Sequence, residues 1–309
     1  MDEESLAVPL NYGSLIIFKT PHMNMNYSYV EIKNLEEYRQ YRKLNIEEYE
    51  ERANVERHIA QEHRGAFVVE GFDPILKEAS VFSVSKERPI ERNGVKLPHW
   101  RESLVCNKYH LNARLRATLL LYSRLANQRT KKIYLTERIT PLYSYFEDII
   151  KPDELLGSEY FGTEYVSGET VNNVRHEDLT NSSFEDGALD AVVCLEVLEH
   201  IPDYAKALKE IYRILNKDGF AIFSAPFIPN KFETTIRASM VNGQIFHILE
   251  PEYHGDPINK KGVLCFQHFG WDVIELLREI GFSKVYVTLL WSKEYGILGI
   301  EQLMWYARK

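Results

Sequence analysis

Strand-like apolar segments and amphipathic helices alternate through the second half of the chain, and this alternation constrains the fold more than any other feature. The predicted strands and helices lie, in chain order, at residues 132–137, 141–150, 154–161, 189–195, 204–215 and 220–227. The segment Leu189-Asp-Ala-Val-Val-Cys-Leu is typical of a strand that is buried on both faces. Because strands joined through helices run parallel, this order predicts an α/β fold with a doubly wound, mostly parallel sheet.

The C-terminal segments are expected to complete this sheet. A helix is predicted at residues 271–280, and Gly281 is expected to cap its C-terminus. Two closing strands, at 285–291 and 302–307, are expected to form an antiparallel edge.

The chain divides into two predicted domains. Residues 1–112 are expected to form a smaller N-terminal α+β part that serves as a substrate or lid domain, and residues 113–309 the main domain. Within the first part, residues 34–63 have apolar positions near helical spacing and predict one or two amphipathic helices. Residues 66–72 predict a short strand.

Charge and composition exclude several classes of protein. The chain has 309 residues and a formal net charge of −8 at pH 7. Nucleic-acid binding needs clustered Lys and Arg, so no nucleic-acid partner is expected. Residues 1–5 lack the basic and apolar regions of a signal peptide, and no apolar run approaches the ~18–20 residues of a membrane span. We therefore expect a soluble protein with no membrane partner.

The cysteines are few and scattered, at Cys106, Cys194 and Cys265. They cannot supply a disulfide framework or a four-cysteine zinc site. This predicts a reducing, cytoplasmic environment. His247, Glu252, His254 and Asp256 match no standard metal-ligand spacing, so no metal is expected.

Acidic residues follow several of the predicted strands. In open parallel sheets, ligands bind beyond the carboxyl ends of the strands. Glu137 ends the first strand and Glu159 the second, where a carboxylate can accept two hydrogen bonds from a ribose diol. Asp178 and Leu179, in the next loop, suit an adenine amine and its ring. Together these residues predict a nucleoside pocket.

Two longer motifs occupy the middle of the chain: residues 177–203, with Cys-Leu-Glu-Val-Leu-Glu-His-Ile-Pro-Asp, and residues 210–227, with Asn-Lys-Asp-Gly-Phe-Ala-Ile-Phe-Ser-Ala-Pro-Phe. In this order they resemble the middle of class I S-adenosylmethionine-dependent methyltransferases. The resemblance implies a seven-stranded Rossmann-like sheet and S-adenosylmethionine as the cofactor. It also implies that Glu159 binds the ribose, Asp178 the adenine amine and Leu179 the adenine ring, with Glu196 beside the methionine moiety.

The chain departs from this family in the loop after the first predicted strand, Thr136-Glu-Arg-Ile-Thr-Pro-Leu-Tyr, which has no glycine. Glu137 is expected to hold the cofactor's amino group, while the Thr140 hydroxyl and the helix that begins at Pro141 are available to its carboxylate. Tyr143 could line the sulfonium through a cation–π contact, or simply pack in the core. Three alternatives stay open: a variant cofactor loop, an altered cofactor pose, or a fold that has lost binding.

The residues on the substrate side have competing interpretations. Arg114 and Arg116 could clamp a carboxylate of the cofactor or of an acidic substrate, or form surface ion pairs. His200 could act as a general base or shape the loop after its strand, and His254 could accept a proton near the methyl group. Residues 246–257, including Tyr253, are expected to form a wall of the substrate site.

The leading functional hypothesis is methyl transfer to a small-molecule or sugar acceptor, in biosynthesis, by in-line displacement. A second hypothesis keeps the cofactor as substrate, with cyclisation or elimination of its aminobutyrate chain. A third is a non-catalytic partner protein with the same fold.

Overall fold

The structure is a computed structural model that describes residues 27–61, 65–87, 89–92, 94–256 and 258–309. The predicted absence of a signal peptide at residues 1–5, and the end of the helical prediction at 62–63, lie outside the described residues. The helices are α1 (Leu35–Leu44), α2 (Ile46–Gln61), α3 (Trp100–Ser103), α4 (Ala113–Leu125), α5 (Pro141–Tyr145), α6 (Tyr204–Ile214) and α7 (Asp272–Ile280). A π-helix (Phe146–Ile150) continues α5, and a 3-10 helix covers Leu198–His200.

The strands are β1 (Ser28–Ile32), β2 (Phe67–Phe72), β3 (Ala79–Val84), β4 (Ile90–Arg92), β5 (Val95–Leu97), β6 (Leu104–Cys106), β7 (Lys132–Leu135), β8 (Glu154–Glu159), β9 (Thr170–Val171), β10 (Val174–His176), β11 (Leu189–Leu195), β12 (Leu215–Ser224), β13 (Thr235–Ile236), β14 (Ala238–Val241), β15 (Gln244–His247), β16 (Tyr253–His254), β17 (Val263–Leu264), β18 (Gln267–His268), β19 (Lys284–Ser292) and β20 (Ile297–Arg308).

One large sheet forms the centre of the molecule, in the order β1-β19-β20-β12-β11-β7-β8-β10-β9. Its middle pairs, β12/β11, β11/β7, β7/β8 and β8/β10, are parallel. The predicted α/β, Rossmann-like architecture is confirmed, and so is the antiparallel closing edge made by β19 and β20. The sheet of the described residues has nine strands rather than the predicted seven, because β1 adds to one edge and the two-residue strand β9 to the other.

The direction in which successive strands are added to the sheet reverses at β7. The chain goes from β7 to β8 on one side and later returns to place β11 on the other. Ligands in open α/β sheets bind at the carboxyl ends of the strands at such a point. The fold therefore directs attention to the residues that follow β7 and β11.

Helices cover both faces of the sheet through apolar stripes. In α6, Ala207, Leu208, Ile211 and Ile214 are buried at helical spacing, and the Asp203 side chain caps the N-terminus by accepting from the Lys206 N–H at 3.0 Å. The neighbouring helix α7 stops at Gly281, whose φ of 119° confirms the predicted C-cap.

Part of the predicted N-terminal domain packs into the central sheet. β1 pairs antiparallel with β19, and Ile32 and Tyr38 lie in the same buried cluster as Val287 and Trp305. The helical prediction for residues 34–61 is confirmed as α1 and α2. A separate sheet of β2, β3 and β6 follows. The division at residue 112 stays a prediction. Within the described ranges, no helix is long and apolar enough to span a membrane.

Candidate cofactor and acceptor site

Carboxylates follow the ends of neighbouring parallel strands. Glu137 comes two residues after β7, Glu159 ends β8, Asp178 follows β10, and Glu196 comes directly after β11. Since β11, β7, β8 and β10 are parallel neighbours, these four residues lie along one edge of the sheet. The structure therefore brings together the cofactor residues predicted from the strand ends.

The glycine-free loop after β7 is held by Glu159. The backbone N–H groups of Arg138 and Ile139 donate to Glu159 Oε1 at 2.8 and 2.9 Å. Thr140 then caps α5, because its Oγ1 accepts from the Tyr143 N–H at 3.2 Å, and Pro141 takes the first helical position. Thr140 thus caps the helix N-terminus, while its predicted contact with the cofactor's carboxylate stays a prediction.

Tyr143 packs beside this loop, away from the predicted cofactor contact. A Cβ placed on Gly157 of β8 would come within 2.3 Å of the Tyr143 ring, so that glycine makes room for it. The Arg138 guanidinium lies 4.0 Å from the centroid of the Tyr143 ring, and Tyr143 is 5% exposed. This packing favours the alternative in which Tyr143 packs in the core over the one in which it lines the sulfonium.

Glu137 has an unsatisfied acceptor at the switch point. Burial raises the pKa of this carboxyl to about 7, although the charge of Arg114 and a hydrogen bond with Thr140 act to lower it. Its Oε1 is buried and has no hydrogen-bond partner among the described residues. Arg114 Nε is also buried without a hydrogen bond in that part of the chain, although Glu102 and Glu196 lie 3.5 and 3.9 Å from it. A buried acceptor and a buried donor that both lack hydrogen bonds among the described residues therefore share this corner of the site.

Glu196 is held in a strained backbone conformation by an ion pair. Its φ is 54°, a left-handed value that costs a residue other than glycine roughly 1–2 kcal/mol. Glu196 Oε1 lies 2.5 Å from Arg101 Nη2 and accepts from Ser224 Oγ at 2.8 Å. Burial acts to raise the pKa of Glu196, but the charges of Arg101 and Arg114 outweigh it and lower the pKa to about 2. The carboxylate is therefore charged at any physiological pH.

Arg101 is a site residue that the sequence did not reveal. It lies on α3, 95 residues before Glu196, and no spacing pattern links the two. A run such as Trp100-Arg-Glu-Ser gives no signal that its arginine reaches the edge of a distant sheet.

Asp178 and Leu179 form a fixed turn at the end of β10. Asp178 Oδ1 accepts from both the N–H and the hydroxyl of Thr180 at 2.8 Å, and its own N–H donates to Ser167 Oγ at 2.9 Å. Leu179 is 5% exposed and belongs to the core cluster that contains Phe184. The second oxygen of Asp178 makes no hydrogen bond within the described residues, which leaves it available to a ligand.

Arg116 does not reach the site, which corrects its predicted role in substrate binding. It is 1% exposed, and its guanidinium donates to the backbone carbonyls of Leu104, Leu111, Tyr295 and Gly296. Position 116 on α4 faces the core, two residues from position 114, which faces the site. Arg116 therefore joins the segments around it instead of binding a ligand.

His254 cannot act as the predicted proton acceptor in this arrangement. Interactions with Cys265, Glu199 and Glu252 raise the pKa of its imidazole to about 11, so the ring is charged at neutral pH. Its Nε2 lies 2.9 Å from Glu252 Oε1. Tyr253, its neighbour on β16, is 59% exposed and stays a candidate for the substrate wall.

His200 contacts two residues of the segment between β12 and α7. Its Nδ1 lies 2.8 Å from the carbonyl oxygen of Leu264, and its ring meets that of His254 edge to face with centroids 5.0 Å apart. This geometry favours the interpretation in which His200 shapes the loop after β11.

A cavity of about 660 Å³ lies beside the loop after β7. It is lined by residues 138–141 of this loop, by residues 108–110 and by residues 172–174, among others. None of the four carboxylates at the strand ends contributes to its lining. The cavity therefore adjoins Thr140 of the predicted cofactor site but does not include the four carboxylates.

Comparison with known proteins agrees with the motifs in the middle of the chain. Residues 158–223 match a family model described as a methyltransferase domain. This match confirms the predicted resemblance to class I S-adenosylmethionine-dependent methyltransferases. The matched stretch contains Glu159, Asp178, Leu179 and Glu196.

Solved structures that are similar to this chain are distant. An S-adenosylmethionine-dependent methyltransferase from Mesorhizobium loti is 12% identical, with 61% of this chain and 96% of that chain covered and a TM-score of 0.36. The 1,6-didemethyltoxoflavin-N1-methyltransferase of Burkholderia thailandensis, solved with 1,6-didemethyltoxoflavin and S-adenosylhomocysteine, is 17% identical, with 64% and 78% covered and a TM-score of 0.36. A search of curated protein sequences finds no match to this chain.

Proposed function

We propose that the protein is an S-adenosylmethionine-dependent methyltransferase that acts on a small-molecule or sugar acceptor. The observation that carries this proposal is that a buried acceptor, Glu137 Oε1, and a buried donor, Arg114 Nε, both lack hydrogen bonds within the described residues near the switch point of the sheet. Buried polar groups in native proteins are almost always hydrogen-bonded, so two such atoms in one corner point to a ligand that carries both charges. The methionine end of the cofactor, with its ammonium and carboxylate, is such a ligand.

The adenosine end fits the next two strand ends. Glu159 uses Oε1 to hold the loop after β7, which leaves Oε2 for the ribose hydroxyls. Asp178 likewise uses Oδ1 for its own turn, which leaves Oδ2 for the adenine amine, and Leu179 adds an apolar surface for the ring. The order of these carboxylates along the sheet edge, Glu137, Glu159 and Asp178, thus follows the order of the cofactor's methionine, ribose and adenine.

The cofactor supplies an activated methyl group on its sulfonium, and the chain's own residues bind and orient. Glu137 and Arg114 hold the methionine end, while Glu159 and Asp178 fix the adenosine end. Fixing both ends reduces the motion of the methyl group, and orientation of this kind supplies much of the rate of a displacement reaction. Glu196, charged and anchored by Arg101, is proposed to lie beside the methionine moiety of the cofactor.

The acceptor is proposed to enter beside the segment between β12 and α7. Tyr253 on β16 is exposed there, and the exposed strand β15 lies in the same segment. The net charge of −8 supports a small acceptor over a nucleic acid. A cytoplasmic location is part of the proposal and rests on the sparse cysteines alone, whereas the proposed biosynthetic role follows from the choice of a small-molecule acceptor.

Product analysis tests this function. The full chain is incubated with S-adenosylmethionine and panels of small hydroxylated, aminated and sugar acceptors, and the products are resolved by mass. Methyl transfer yields S-adenosylhomocysteine together with an acceptor that is heavier by one methylene unit. Release of 5′-methylthioadenosine without any acceptor would instead identify the cofactor as the substrate. Absence of every product, together with absence of cofactor binding, would favour a non-catalytic partner protein.

A further inference from the structure

Glu199 is a fully buried carboxylate that the proposed cofactor site does not use. It lies in the 3-10 helix after β11, and its exposed fraction is 0%. Neither of its carboxylate oxygens has a hydrogen-bond partner among the described residues. An ionised carboxylate without partners is very costly to bury, so its surroundings should contain a cationic group that offsets the charge.

Two imidazole nitrogens face this carboxylate. His254 Nδ1 lies 3.5 Å and His200 Nε2 lies 3.7 Å from the same oxygen, Glu199 Oε1. One ligand atom from each of the three residues lies within 4.8 Å of the others. Ligands at 2.0–2.1 Å from a tetrahedral zinc ion are about 3.4 Å apart, so the separations seen here are close to those of a bound ion and too long for direct hydrogen bonds.

The far side of each histidine is fixed in the way that a metal ligand requires. His200 Nδ1 lies 2.8 Å from the carbonyl oxygen of Leu264, which can only accept, so this nitrogen carries the proton. His254 Nε2 lies 2.9 Å from the carboxylate of Glu252, which also accepts. Binding of a cation releases the proton that His254 otherwise carries, and the lone pairs of both neutral rings then point toward the cation. Histidines that ligate metals almost always donate their second N–H to a carbonyl or a carboxylate in this manner.

The supporting groups are themselves anchored. Glu252 Oε1 also lies 3.1 Å from His268 Nε2, and Glu252 Oε2 lies 3.2 Å from Arg237 Nη2. The backbone N–H of Phe266 donates to the Glu199 carbonyl oxygen at 2.7 Å, which ties the returning chain to the 3-10 helix. The cluster is therefore preorganised from both segments that contribute to it.

We propose that Glu199, His200 and His254 bind a divalent cation of the zinc class. Two imidazole nitrogens and one carboxylate oxygen favour Zn²⁺ or a similar first-row ion over Mg²⁺ and Ca²⁺, which prefer oxygen ligands. Three protein ligands leave a fourth tetrahedral position open, as catalytic zinc sites do. A water or an acceptor hydroxyl would take that position. The role of an acceptor hydroxyl there rests on the proposed function, whereas the metal site itself does not. The proposal revises the expectation of no metal.

The four residues first considered as ligands are separated by the structure. His254 and Glu252 remain in the cluster, but His247 is exposed on β15. Asp256 Oδ1 is used in a local turn, where it accepts from the backbone N–H groups of Ile258 and Asn259. Glu199 and His200, which complete the set, lie more than fifty residues earlier in the chain, so local spacing could not reveal it.

Zinc titration of the full chain tests the proposal. The protein is stripped with a chelator and titrated with Zn²⁺ against a chromophoric competitor at neutral pH. We expect one Zn²⁺ to bind per chain with a dissociation constant below about 1 µM, which corresponds to a binding free energy of about −8 kcal/mol or stronger. Mg²⁺ should not compete with Zn²⁺ for the site. The variants Glu199→Gln and His254→Ala should each weaken binding at least about 100-fold, more than the loss of an outer partner typically does. The matched control His247→Ala should bind as the wild type does.

A second measurement needs no variant. Wild-type protein loaded with Co²⁺ should show the intense visible absorption of a tetrahedral nitrogen and oxygen site, whereas the weak absorption of a six-coordinate ion would overturn the assignment. Failure to retain Zn²⁺, or equal retention by Glu199→Gln, would also overturn it. Titration of the same samples with S-adenosylhomocysteine separates the two proposals, because loss of the metal site alone leaves cofactor binding in place.

Discussion

Glu159 Oε1 accepts a hydrogen bond from the backbone N–H of Arg138 at 2.8 Å, and so the carboxylate that ends β8 holds the loop that follows β7. The methyltransferases that this chain resembles are expected to have glycines in this loop, whereas the chain anchors a loop of larger residues to a neighbouring strand. Oε1 therefore fixes the loop, and under the proposed function Oε2 binds the ribose.

Substitutions at Glu159 should separate these two roles. Glu159→Gln keeps an oxygen that can accept from the loop but loses the charge, and we expect it to weaken S-adenosylhomocysteine binding about tenfold, the effect of roughly 1.4 kcal/mol. Glu159→Ala also releases the loop and should weaken binding by a further factor of about ten. Calorimetry gives both affinities. Equal losses for the two variants would contradict the role of Oε1.

The raised pKa of Glu137 predicts opposite effects of pH on stability and on binding. Burial raises this pKa from 4.5 to about 7, so the fold favours the neutral carboxyl. The stability that Glu137 contributes is complete below pH 4.5 and is lost as the pH rises through about 7. Glu137→Gln should therefore match the wild type in thermal stability at pH 4.5 and exceed it at pH 8.

Cofactor affinity should change in the other direction, because an ammonium group binds the ionised carboxylate. Below pH 7 the wild-type affinity for S-adenosylhomocysteine is expected to fall by up to about tenfold per pH unit. Glu137→Gln should bind weakly at every pH, without this slope. Calorimetry between pH 5.5 and 8 measures the effect, and a wild-type affinity that is independent of pH would refute the contact.

Arg114 and Arg116 form a matched pair for mutagenesis. Arg116→Met removes the guanidinium that donates hydrogen bonds to the backbone carbonyls of Leu104, Leu111, Tyr295 and Gly296. Because these buried carbonyls would lose their partner, the variant should lower the free energy of unfolding by about 3 kcal/mol or more. Arg114→Met removes a cation that faces Glu137 and should weaken cofactor binding with a smaller effect on stability. Urea unfolding and calorimetry are compared for both variants. The opposite pattern would mean that the two arginines have been assigned to the wrong roles.

The Arg101–Glu196 pair should stabilise the fold in a way that depends on pH. The pKa of Glu196 is lowered to about 2, so its contribution is present above pH 4.5 and is lost as the pH falls toward 2. At pH 7, Glu196→Gln should lower the free energy of unfolding by about 2 kcal/mol, a typical value for a hydrogen bond to a charged group. The difference from the wild type should shrink in urea unfolding at pH 3.5. A constant difference across this range would argue against the ion pair.

The sequence predicted the parts of the fold that depend on local patterns. Apolar runs and helical periodicity located β11, α6 and α7 to within a residue or two, because burial on a sheet selects those patterns directly. Acidic residues after the strands identified Glu137, Glu159 and Asp178, since the edge of a parallel sheet is a general ligand site. These predictions needed no knowledge of distant contacts.

The missed features depend on contacts between distant segments. β1 could not be recognised as an added strand of the main sheet, because a short run near the N-terminus does not show that it pairs with β19. Nothing in the local sequence distinguishes Arg101 and Arg116 from other arginines. In the folded chain, Arg101 forms an ion pair with Glu196, and Arg116 donates hydrogen bonds to backbone carbonyls. Glu199 and His254 likewise meet only when the segment after β12 folds back. Side-chain partners across the fold set these roles, and residue spacing does not encode them.

The central claim is that the carboxylates at the strand ends bind S-adenosylmethionine, and calorimetric titration of the full chain with S-adenosylhomocysteine tests it most directly. The account predicts one site per chain for the wild type, with affinity reduced at least about tenfold in Asp178→Ala. Unchanged affinity in Asp178→Ala and in Glu159→Ala would place the ligand elsewhere. Absence of binding by the wild-type chain would contradict the account as a whole.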